Sequence, residues 1–93
     1  MNIEALATKY IASAEKVFAE LQRTKVTISV PEEKTGDVLS WASDYLEDAK
    51  YYKAQGKFET SLTSIAYCEG LLDALRLLGA VKFEWPTNQE NKK

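Results

Sequence analysis

The sequence predicts an all-α fold, an up-down-up three-helix bundle with short extended arms, and three observations carry that prediction. Apolar residues recur at helical spacing in three separate stretches, glycine closes the second and third of them, and the apolar residues outside them alternate with period two. The most apolar stretch, Phe58 to Gly79, reads as the central helix because it is apolar on two sides. Phe58, Leu62, Ile65 and Leu72 fall along one side of it, and Leu71, Leu75 and Leu78 along another.

The first helix runs from a cap at Asn2, whose side-chain oxygen can accept from a free first-turn N–H, to about Arg23. At about 100° per residue, Ile3, Leu6, Ala7, Tyr10, Ile11, Ala14, Val17, Phe18 and Leu21 share one face, with Glu4, Lys9, Glu15 and Lys16 opposite. Lys16 and Glu20 stand one turn apart, a pair worth only a few tenths of a kcal/mol. From Thr24 to Val30 the period changes to two and β-branched residues dominate, so the backbone is expected extended. Thr24 to about Gly36 reads as a linker. The second helix is secure from Asp37 to Gln55; with Pro31 at its first turn it begins as early as Pro31. Val38, Leu39, Trp41, Ala42, Tyr45, Leu46, Ala49 and Tyr52 form its expected buried face.

Gly56 supplies the left-handed residue that ends this helix, and so short a turn makes the next helix its antiparallel neighbour. Gly79 ends the third helix in the same way. Val81, Phe83 and Trp85 then alternate with charged residues, extended and placed to lie beside Val26 to Val30, until Pro86. Residues 1–86 therefore make one helical domain, and the polar run 87–93 a disordered tail.

Composition excludes several functions. A net charge of −2 offers no basic field, which disfavours nucleic acid as a partner. There is no histidine, and Cys68 is the one cysteine, so Cys/His catalysis, thiolate zinc sites and internal disulfides are out. The opening MNIEALATKY has neither the charged region nor the apolar run of a secretion signal, and no apolar run approaches the length of a membrane span, so a cytoplasmic setting is expected. Phosphate loops, dinucleotide fingerprints, nucleophile elbows and calcium loops are absent.

What chemistry there is lies on the third helix. Glu69, Asp73 and Arg76 line up on one stripe, and the hairpin geometry sets them against Tyr45, Asp48 and Tyr52 of the second helix, with Tyr67 nearby. Read functionally, these seven residues form an acidic groove between helices 2 and 3, and Asp48, Glu69 and Asp73 would suit Mg²⁺, a cation that takes oxygen ligands. Read structurally, Asp73 and Arg76 pair one turn apart on a half-exposed face, and Glu69 reaches solvent or a tyrosine hydroxyl. Ala66, Gly70 and Ala74 present small side chains on one line. A glycine inside a helix costs about 1 kcal/mol against alanine, so a close approach by Ala7 and Ala14 of the first helix is expected to offset it. Tyr51, Tyr67 and Trp85 are left over as candidate contacts to a protein partner, and Cys68 as a small buried apolar residue.

The run DYLEDAKYYKAQGKFETSLTSIAYCEGLLDALRLLG, from Asp44 to Gly79, resembles the archaeal family catalogued as domain of unknown function 357. Tyr45, Asp48, Ala49 and Gly56 match the first part of its pattern, and Tyr67, Glu69, Gly70, Leu71, Leu72, Asp73 and Ala74 the second; Cys68 stands where that pattern has alanine. The resemblance implies a compact helical bundle of archaeal origin and, as in some relatives, the company of nucleotidyltransferase-like domains; it implies no activity. The expected function is a non-catalytic helical interaction or accessory module, a homodimer by virtue of surplus apolar surface, with no cofactor and no resident metal. The alternative is a small-molecule or nucleotide-binding protein, or an enzyme, that uses the acidic groove.

Overall fold

In the computed structural model, which describes residues 2–25 and 27–86, the chain forms three helices: α1 (Ile3–Glu20), α2 (Glu32–Ala54) and α3 (Phe58–Leu77). The fold is all-α, and no strand forms among the described residues. The expected tail, 87–93, and Val26 of the first arm lie outside them.

Each helix end has a local cause. The Asn2 side chain accepts from the Ala5 N–H at 2.7 Å, as expected of a cap. α1 stops at Glu20, where Leu21 turns to extended backbone (ψ 150°). α2 starts at Glu32, the earlier of the two expected starts, with Pro31 as the flanking residue and Glu32 and Glu33 in the first turn, where carboxylates favour the helix dipole. The linker is correspondingly shorter than Thr24 to Gly36. Gly56 (φ 77°) and Gly79 (φ 82°) both take the left-handed conformation. Behind each, the chain closes a Schellman pair: Lys57 N–H to Tyr52 C=O and Gly56 N–H to Lys53 C=O, then Ala80 N–H to Leu75 C=O and Gly79 N–H to Arg76 C=O.

α2 and α3 pack as an antiparallel hairpin, and they are the helices that meet among the described residues. Ala42 and Ala49 of α2 and Cys68 and Leu75 of α3 are the buried apolar residues between them. Small residues let the backbones come close, and the Ser61 hydroxyl donates across the interface to the Ala49 carbonyl at 2.7 Å. Tyr45 and Tyr67 meet edge to face at 4.5 Å between ring centres, while Tyr67 stays exposed, as expected. The buried face of α2 is narrower than its apolar pattern: Trp41 is 59% exposed, and Leu39 and Leu46 are also open. One partner helix covers one stripe.

α1 packs on neither of the others. Its apolar face lies open, with Phe18 78% exposed and Tyr10, Ile11 and Val17 close behind. The expected placement of α3 between the other two helices is therefore corrected, and with it the approach of Ala7 and Ala14 to Ala66, Gly70 and Ala74. All three small residues are exposed, and a Cβ on Gly70 would meet nothing within 4 Å. No described helix is long and apolar enough to cross a membrane.

Candidate functional site

Helix geometry places Asp73 and Arg76 one turn apart near the end of α3, and the left-handed Gly79 sends the chain back beside them. The returning segment, Val81 to Pro86, brings an indole N–H that needs an acceptor. Trp85 Nε1 donates to Asp73 Oδ1 at 2.9 Å, and the same oxygen accepts from Arg76 Nη2 at 3.0 Å and Nε at 3.2 Å. Phe83 lies edge-on to Trp85 at 4.9 Å, and the Arg76 guanidinium sits 5.7 Å above the Phe83 ring. Four side chains thus tie the C-terminal segment to α3.

The hydrogen bond from Trp85, then that from Arg76, holds the Asp73 carboxyl below the ordinary carboxylate range, against an opposing push from desolvation and with the Arg76 charge adding to the lowering. A carboxylate so held stays ionised at neutral pH and is a poor proton acceptor. Its role is that of an anchor. On the buried side of the helix, burial raises the Cys68 thiol, with the Glu69 charge adding to it, which makes this sulfur a weak nucleophile.

Beside the anchor, Ala66, Glu69, Gly70, Asp73, Trp85 and Pro86 line an open hollow of about 640 Å³. α3 contributes the small residues Ala66 and Gly70 and the carboxylates Glu69 and Asp73, and the C-terminal segment contributes Trp85 and Pro86. A smaller hollow of about 410 Å³ lies on the α2–α3 side, lined by Lys34, Asp37, Val38, Trp41 and Leu71.

The residues expected to line one groove are divided among four places. Glu69, Asp73 and Arg76 meet the C-terminal segment, Tyr45 and Tyr67 stack on each other across the hairpin, and Tyr52 packs edge-on to Tyr51 at 5.2 Å. Asp48 is exposed on α2. The acidic groove between helices 2 and 3 is therefore not assembled; the hollow at Glu69 and Asp73 lies between α3 and the C-terminal segment. Nor do Asp48, Glu69 and Asp73 gather as expected for Mg²⁺: among the described residues no three carboxylate or thiol groups come together in a set that a metal would take.

Sequence reasoning missed Trp85 and Pro86 as part of this site and set Val81 to Trp85 beside the first arm. The signal was an unassigned indole following a left-handed glycine, within reach of a carboxylate on the preceding helix.

Among protein families, residues 3–81 match the model of one described as "Protein of unknown function (DUF357)". No curated protein and no solved structure matches the chain.

Proposed function

Since the chain belongs to the DUF357 family, whose description states no activity, we propose a function from its surfaces: a non-catalytic helical interaction module that self-associates. The observation that carries this reading is the open apolar face of α1. Most helical stability in proteins comes from packing an amphipathic face, and the 18 residues of α1 pack on neither other helix. A helix with eight apolar positions on one side and no partner among the described residues is built to be covered. α3 has the complementary need, since Leu62 and Leu77 lie open on the side away from α2.

The nucleotide-and-Mg²⁺ alternative draws no support from the arrangement of Asp48, Glu69 and Asp73. A cytoplasmic setting fits the lone buried Cys68, while an archaeal source and a nucleotidyltransferase-like companion rest on the family resemblance alone. Amide hydrogen exchange as a function of protein concentration tests the reading. Protection of residues 5–20 should rise with concentration while that of α2 and α3 changes less. Protection of α1 that is the same at every concentration would overturn it.

A further inference from the structure

α3 is two-sided. At 100° per residue its α2-facing side centres on Cys68 and Leu75, and Ala66, Gly70 and Leu77 fall on the opposite side, with Leu62 and Asp73 toward one edge. On that second side the backbone is reachable at Gly70, where a Cβ would meet nothing within 4 Å, and the Trp85–Pro86 segment makes Ala66 and Gly70 the small-residue part of a groove whose lining also carries Glu69 and Asp73. Leu62 and Leu77 stand at its two ends, about 22 Å apart along the helix. α1, at about 27 Å, is long enough to fill it, and Tyr10, Ile11, Ala14, Val17 and Phe18 form the bulky ridge that a small-residue floor accommodates.

We infer that α1 is exchanged between two copies of this chain, the first helix of each copy lying in the α3 groove of the other over Ala66, Gly70 and Ala74. This rests on the self-association reading above and names its contact. Surface area argues for a second copy. The chain exposes 8312 Å², whereas a compact chain of this mass exposes about 5,400 Å². With the nine residues outside the description granted roughly 160 Å² each, as in unfolded chain, about 1,500 Å² is still left over. A standard interface takes about 800 Å² per partner. The radius of gyration, 16.2 Å, exceeds the roughly 12 Å of a compact chain of this length in the same sense.

Within one chain the connection leaves α1 clear of α3, and the two helices do not pack. The chain leaves α1 extended at Leu21 (ψ 150°) and enters α2 extended at Pro31 (ψ 154°), and Ile28 between them is exposed. Reciprocal exchange covers two α1 faces and two grooves at once and leaves the α2–α3 hairpin as it stands.

The test is an isotope-filtered NOE experiment on a mixture of labelled and unlabelled full-length chains, with the mass measured by light scattering on the same sample. Contacts between the Tyr10 and Phe18 rings of one copy and the Ala66 and Ala74 methyls of the other are expected. Phe18→Asp should weaken the dimer by roughly tenfold or more while keeping the helical circular dichroism of the hairpin. A dimer whose α1-to-α3 contacts all arise within one chain overturns the exchange and leaves self-association standing. A strict monomer overturns both.

Discussion

Truncating Leu75 and Leu77, two residues apart on α3, should give opposite results. Leu75 is 3% exposed at the α2–α3 interface and Leu77 is 76% exposed on the far side. Leu→Ala in a well-packed core costs about 2 to 5 kcal/mol. A two-helix interface can close partly over the loss, which places Leu75→Ala at the lower end, about 2 to 3 kcal/mol. For a domain of this size each kcal/mol moves Tm by about 4 to 8 °C, so the expected fall is about 8 to 24 °C, enough to unfold a marginal hairpin outright. Leu77→Ala should stay within about 0.5 kcal/mol at the lowest workable concentration, because nothing among the described residues covers it. Circular dichroism melts at 222 nm over a concentration series read both effects. If Leu77→Ala costs as much as Leu75→Ala in the dilute limit, the reasoning fails, because the second face of α3 is then covered from within the chain.

Other outcomes follow from the same contacts. Gly70→Ala should raise the dilute-limit Tm by about 4 to 8 °C, the helix-propensity gain of about 1 kcal/mol without a clash, whereas Gly70→Leu should remove the concentration dependence of Tm; a lower dilute Tm for Gly70→Ala would mean an unseen close approach. Asp73 has a folded pKa depressed below its ordinary 3.8, so its contribution is present above the unfolded pKa and is lost as pH falls through the lower folded one. The Trp85 indole N–H resonance should shift in that acid window in the wild type and stay flat in Asp73→Asn; an indole signal insensitive to both would remove the anchor. Cys68, buried and with a raised pKa, should react with a thiol reagent only slowly until denaturant opens the hairpin, and fast reaction in buffer would contradict its burial.

The helices themselves were legible because periodicity and punctuation agreed. The Asn2 cap, the left-handed Gly56 and Gly79, the α2–α3 hairpin and the buried Cys68 all follow from signals carried within a few residues. The start of α2 was ambiguous because Thr35 and Gly36 are weak helix formers, while the preceding Pro31 and the acidic first turn favour an earlier start. The two larger misreadings were tertiary. An amphipathic face announces that α1 needs a partner and says nothing of which copy supplies it. Likewise the Asp73–Arg76 pair was legible from its spacing, but its setting against α2 from hairpin register was not: the stripe faces the returning Phe83 and Trp85, whose position depends on the turn at Gly79. Spacing along a helix gives the angle of a residue; the neighbour at that angle comes from the rest of the chain.

The central claim is that the faces left open within one chain are closed by a second. Static light scattering of the full-length chain across a wide concentration range measures this most directly. Twice the 10.5 kDa chain mass at high concentration, falling toward the single mass on dilution and on substitution of Phe18 by Asp, is the predicted result. One chain mass at every concentration, with α1 protected throughout, would contradict it.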